Sequence, residues 1–222
     1  IAEGVQAAGS LHTLGDIALA AGNEERAAEL YEEELALGRE AQIEVAHSFA
    51  LQGLGKVAWA QGDHDLAVER IEESLGISRK ADIRQATFHA LYGLGRVAQS
   101  RGDFAAARAH YVEALGLQTR RISPLFNWVW MKTYSSAVSY ALEGLAILAS
   151  AQNQMGRAAR LFGAAEGLQS ALRFEMSAAE RAEHDQAIAA ARTALGEEFL
   201  VLLEEGRNMS LQDVVAYALT ET

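Results

Sequence analysis

Two stretches carry spacings that chemistry could use. Gly53-Leu54-Gly55-Lys56-Val57-Ala58 and Gly93-Leu94-Gly95-Arg96-Val97-Ala98 each match the loose glycine fingerprint of a dinucleotide site. Such a fingerprint works when it follows a strand and opens a helix, because the backbone must approach a pyrophosphate at the helix N-terminus. Neither copy follows a strand pattern, and both sit inside helical periodicity. A phosphate loop is also excluded, since no glycine stands five residues before Gly55 and Val57 stands where Ser or Thr would be needed. These glycines serve packing. The six histidines, His12, His47, His64, His89, His110 and His184, make no HExxH or other close pair with metal-ligand spacing. His184-Asp185 lies on a charged helix with no nucleophile pattern beside it. The residue types therefore predict no catalytic centre, no metal site, no cofactor and no enzyme activity in this segment.

Charge and composition narrow the partners. With 30 acidic against 19 basic residues the formal charge is -11, and no cluster of Lys or Arg interrupts it, which disfavours direct contact with nucleic acid. The chain has no cysteine, so neither disulfides nor Cys-ligated zinc can form, and a cytoplasmic location is expected. No apolar run reaches the roughly 18 to 20 residues a membrane span needs, and the start lacks a signal-peptide pattern. Because the first residue is Ile1 rather than Met and opens inside a helical pattern, a segment of a longer protein is expected.

One proline in 222 residues, with Ala-rich and Leu-rich stretches and little alternation, predicts an all-α chain. The stretch from Leu51 to Leu75 reads as a helical hairpin, and it recurs from Leu11 and from Leu91, each copy displaced by 40 residues. Each has a turn at Gly22-Asn23, Gly62-Asp63 or Gly102-Asp103, where glycine ends one helix and the next residue caps the following one. Small residues recur where helices must approach closely: Gly15, Gly55 and Gly95 in the first helix, Ala27, Ala67 and Ala107 in the second. Large ones stand opposite as Tyr31, Ile71 and Tyr111, then Leu35, Leu75 and Leu115. A weaker fourth copy begins at Leu142, with Ala146 in place of the glycine, Asn153-Gln154 in place of Gly-Asp, and Ala158 and Phe162 in the second helix. A period of this size marks a stacked array that presents a recognition surface.

This pattern of Leu-Gly, then Ala, then Gly-Asp or Gly-Asn, then Ala and an aromatic resembles the tetratricopeptide repeat. The spacing of 40 exceeds that family's roughly 34 and no proline closes each repeat, so the chain looks like a longer-helix variety. The resemblance implies a right-handed α-solenoid of helical hairpins with a C-terminal helical cap. The solenoid would occupy residues 1–174, with repeats at about 8–42, 48–82, 88–120 and 139–174 and an insert at 121–138; the cap would occupy 175–222. In the cap, Ser177 to Glu180 reads as a capping box, Gly196 and Gly206 as breaks, and Ser210 as the cap of a last helix. The order LFGAAEGLQSAL, SAAERAEHDQAIAAARTALGEEF, EEGRNMSLQDVVAYAL looks like the C-terminal segment of large bacterial regulators of the LuxR-type and signal-transduction NTPase class. That resemblance implies a nucleotide-switch module and an effector domain outside this segment.

In such a stack the first helices line the concave wall, and the outward positions lie one and four after the small residue and three and six before it. They are His12, Asp16 and Leu19 in the first copy; Phe49, Gln52, Lys56 and Trp59 in the second; His89, Tyr92, Arg96 and Gln99 in the third; Tyr140, Glu143 and Ile147 in the fourth. Basic, amide and aromatic groups would converge there, as a recognition groove needs; a merely hydrophilic wall is the other reading. Glu32-Glu33-Glu34 reads as a solvated face. Phe126, Trp128 and Trp130 in the insert either cover a groove where the stack changes or form an alternative partner patch. The expected function is non-catalytic: a sensor or protein-interaction arm of a cytoplasmic transcriptional regulator, binding a protein, peptide or small effector. A scaffold that mediates assembly or homo-oligomerisation without sensing a ligand is the alternative.

Overall fold

The computed structural model describes the backbone of residues 2–119, 128–168 and 178–220, with side chains over 3–117, 138–168 and 181–220. Among these residues are eleven helices and no strand, so the expected all-α architecture of stacked hairpins is present. The chain divides into two compact units, residues 1–102 and 103–222. That division falls inside the third expected hairpin and puts the fourth hairpin and the whole cap in one unit.

The first unit contains α1 (Ala2–Ala20), α2 (Glu24–Glu40), α3 (Glu44–Ala60), α4 (His64–Lys80) and α5 (Arg84–Ser100). Consecutive helices pack antiparallel, and α1 touches α3 while α3 touches α5, so the first helices form one layer. Turn chemistry sets this arrangement. Gly22, Gly62 and Gly102 have φ of 76°, 80° and 74°, the left-handed region that glycine enters without a Cβ clash. Asn23, Asp63 and Asp103 then accept hydrogen bonds from the backbone N–H groups of Arg26, Leu66 and Ala106. Between hairpins the same bend is made without glycine, by Gln42 and Asp82 at φ 54° and 53°. There the amides of Ile43 and Ile83 donate back to Gly38 and Ser78 carbonyls at 2.8 Å, closing the helix ends.

Tyr31 explains why glycine comes in pairs. A Cβ on Gly15 would lie 2.5 Å from its ring, and one on Gly53 closer still. Ile71 stands likewise between Gly55, at 2.7 Å, and Gly93, at 3.2 Å. In Gly-Leu-Gly the second glycine thus receives the large residue of its own hairpin and the first receives that of the hairpin before. Reading the sequence assigned only the within-hairpin contact. Ala27 and Ala67, small as expected, are fully buried.

The second unit contains α6 (Phe104–Thr119), α7 (Trp128–Ala151), α8 (Met155–Leu168), α9 (Ala178–Leu195), α10 (Glu198–Arg207) and α11 (Leu211–Leu219). Helices α7 and α8 form the fourth hairpin, with Asn153 at φ 61° in the glycine's place and the ring of Tyr111 set against Gly144. In the cap, Gly196 bends the chain at φ 58° and the Ser210 hydroxyl accepts from the Asp213 amide at 3.2 Å. Gly206 does not break a helix. It lies buried within α10, where it meets the Arg160 carbonyl, while Gly163 of α8 meets the Leu203 carbonyl. Helices α8 and α10 thereby cross backbone to backbone. Arg157 fastens α11 by donating to the carbonyls of Tyr217, Ala218 and Thr220 at 3.0 to 3.3 Å, a cation placed on the negative end of a helix. Ser177 and Phe126 lie outside the described residues, as do the side chains of Trp128 and Trp130.

Candidate interaction surface

Helices α1, α3 and α5 bring most of the expected wall residues of the first unit to one layer. Asp16 is its hub: Tyr31 donates its hydroxyl at 2.8 Å, Lys56 donates from Nζ at 2.9 Å, and His12 Nε2 lies 3.5 Å away. Burial opposes ionisation of Asp16, yet the positive charges and hydrogen bonds around it outweigh that and hold its carboxyl below the usual range. Burial, reinforced by the Asp16 charge, pushes the Tyr31 phenol far up, so it stays protonated and donates.

His12 faces inward as well as along the wall. Its Nδ1 shares a 3.0 Å hydrogen bond with Glu34 Oε2. This corrects the reading of Glu32-Glu33-Glu34 as a solvated run, because Glu34 is buried while its two neighbours are exposed. Burial is also why the Glu34 carboxyl is shifted up. One repeat later the same two places hold Gln52 and Ser74. Gln52 is buried rather than presented, and its amide donates to Ser74 Oγ at 2.7 Å and to the Ala86 carbonyl at 2.9 Å. Ser48 and Ser74 complete that knot by bonding each other's carbonyls. A buried polar group must find a partner, and the two repeats solve this with matched but different pairs. The recurring 22-residue offset between His12 and Glu34, and between Gln52 and Ser74, was the sequence signal that could have found them.

Aromatic groups run across the layer. The Phe49 ring lies 5.4 Å from His12 and 6.0 Å from His89, and Arg96 stacks over Trp59 at 5.5 Å. Burial first, then the nearby positive charges of Lys56 and His12, lower the His89 imidazole to about 4. Tyr92 and Gln99 are half-buried on α5, whereas Arg96 is buried. Lys56 is the wall's exposed cation, 48% accessible. In the second unit Tyr140 is half-buried on α7 and Glu143 is buried. Among the described residues no group of three or more His, Asp or Glu could hold a metal ion, and no helix is long and apolar enough to cross a membrane.

These paired helices, glycine-seated rings and capped turns are what the comparison with known families meets: residues 45–120 match the family described as Tetratricopeptide repeat. The chain contains a tetratricopeptide-repeat region. Repeats of this family generally mediate protein–protein interaction and are typically non-catalytic modules. No curated protein matches the chain. The hairpins of the first unit thus supply a layer with aromatic area, an accessible amine at Lys56 and internally satisfied carboxylates at Asp16 and Glu34.

Proposed function

We propose that this chain is the sensor or protein-binding arm of a larger cytoplasmic bacterial transcriptional regulator, and that it engages a protein, peptide or small effector through the first-helix face of its first unit. The observation that carries the reading is the bonding at Asp16. Since Tyr31 and His12 also attend that carboxylate, Lys56 can turn to an acidic group on a ligand without stranding a buried charge. Phe49, His89 and Trp59 flank it with ring surface, which contributes contact area at little entropic cost. Binding would favour one arrangement of the arm relative to the switch module of the parent. Self-assembly through a scaffold that senses nothing is the competing reading.

Affinity capture from cells of the source, followed by titration of the partner it identifies, tests this. Lys56→Ala and Trp59→Ala should each weaken that partner by about 2 kcal/mol, roughly 30-fold. Lys56→Ala should leave thermal unfolding unchanged, because exposed ion pairs contribute only about 0 to 1 kcal/mol. Undiminished affinity in both variants would remove this face from the interaction. Recovery of this chain as its own sole partner would favour the scaffold.

A further inference from the structure

Helix α1 has a second face, turned away from its own hairpin, and the repeat register shows what such a face receives. In the internal repeats α2 lies antiparallel on α3, with Ala27 near Val57, Tyr31 on Gly53 and Leu35 near Ala50. Subtracting the repeat places Ile17 at the position of Val57 and Val97, Leu14 at that of Leu94, and Thr13, Ser10 and Gln6 at those of Gly53, Ala50 and Ala46. Val57, Val97 and Leu94 are 4%, 2% and 5% accessible and Leu54, the other equivalent of Leu14, is half-buried, yet Ile17 is 60% and Leu14 51% accessible. The apolar end of the face has kept its character while lacking a cover. Its other end has changed: Ala46 and Ala50 become Gln6 and Ser10, and the glycine that seats a ring becomes Thr13, whose hydroxyl is bonded to the Gly9 carbonyl at 2.9 Å.

We infer that this face of α1 docks a further helical hairpin of the same repeat type, its second helix antiparallel to α1 in the register that α2 takes on α3, with a small residue where Tyr31 and Ile71 stand. A small apolar residue in its first turn, where Ala27 and Ala67 stand, covers Ile17 and Leu14. Over Thr13 a tyrosine or isoleucine has no seat, since side-chain atoms now fill the space a glycine left open. Beyond it, the position of Leu35 and Leu75 faces Ser10. Thr13 therefore selects which hairpin stacks there.

The chain's own second hairpin makes the probe: in this register its Ala67 reaches Ile17, its Ile71 reaches Thr13 and its Leu75 reaches Ser10, so Ile71 is the residue that meets the side chain standing in the glycine's place. A copy of residues 44–83 is joined ahead of Gly4, in one version unchanged and in another carrying I71A within the copy. With no native cysteine, a single Ile17→Cys substitution reports cover through its rate of thiol labelling. The I71A copy should slow labelling at least 10-fold relative to the chain without a copy, the unchanged copy should not, and T13G should restore protection to the unchanged copy. Equal labelling with all three, or equal protection by both copies, overturns the proposal. So does protection in the chain alone that disappears on dilution, which would assign the face to a second copy. As a readout independent of labelling, Ile17→Asp should lower the melting temperature of the I71A fusion by several degrees and leave that of the chain alone unchanged; equal shifts in both would overturn the proposal as well.

Discussion

The stacked first helices of the first unit and the α8–α10 crossing of the second use glycine for the same end against different neighbours. In the first, glycines seat side chains: Tyr31 between Gly15 and Gly53, Ile71 between Gly55 and Gly93. In the second, Gly163 and Gly206 seat backbone, so α8 and α10 meet carbonyl to Cα. A ring can tilt and an isoleucine can change rotamer, whereas a helix backbone can only move away as a body. Tolerance to added volume should therefore differ sharply between the two kinds of seat, and Gly38, against the His47 backbone in the first unit, and Gly144, against the Tyr111 ring in the second, carry the contrast across both units.

The largest effect is expected from Gly206→Val or Gly163→Val, which should destabilise the protein by about 3 kcal/mol or more in chemical denaturation, because overpacking against backbone leaves no side chain to yield. A loss below about 1 kcal/mol would mean that the helices separate cheaply and would erase the contrast. Gly53→Val in the first unit should be milder, about 2 kcal/mol, and pairing it with Tyr31→Leu should recover part of the loss. If the pair is instead additive, the ring is not what the glycine accommodates.

Charge gives the first unit a further dependence. His89 is held neutral, with its pKa lowered to about 4 from 6.5, so between those values the unfolded chain binds a proton that the folded chain resists. Its contribution is complete above about pH 6.5 and is lost as pH falls toward 4, by about 2 kcal/mol once partial exposure is allowed for. Glu34, shifted up by burial, acts in the opposite sense above its unfolded pKa. Comparing His89→Phe with the parent across that window isolates the histidine. The variant's stability should fall less on acidification, and identical pH profiles would contradict this. The smallest effect belongs to a glycine that seats nothing. Gly76 lies within α4, and no atom stands within 4 Å of where a methyl group would project from it, so Gly76→Ala should stabilise by about 0.5 to 1 kcal/mol through helix propensity alone. A loss at this position would show a neighbour that the contacts do not include.

Legibility in the sequence followed recurrence. The Gly-Asp turns, the small and large positions of each hairpin and the Asn153 substitution could be read because the chain states each rule more than once. The crossing of α8 on α10 is stated once, between residues some forty apart, and a lone Gly206 in sequence looks like a helix end. Glu34 was hidden by its neighbours: Glu32 and Glu33 point to water, and only the helical turn that returns Glu34 to the side of Tyr31 and Leu30 buries it. Gln42 and Asp82 were missed because a left-handed residue other than glycine has no strong compositional mark. Of the wall, the side on which each residue lies was legible but its depth was not, as Gln52 and Arg96 show. Depth depends on which partner the adjacent helix offers, Ser74 in one repeat and Glu34 in another.

Helices α2, α3, α4 and α5 each span 17 residues, and three residues bridge each to the next. The first unit thus keeps a metre of 20, and that metre restricts how the gene can change length. One residue gained or lost early in α3 would turn every later position of that helix by about 100° about its axis, carrying Gly55 out from under Ile71 and Lys56 and Trp59 off the wall. The turns are more tolerant, since additions at residues 61–63 would lengthen an exposed bend without rotating either flanking helix. The length changes this fold can absorb are therefore whole hairpins or residues at the tips between helices, whereas one or two residues added within a helix misplace its contacts.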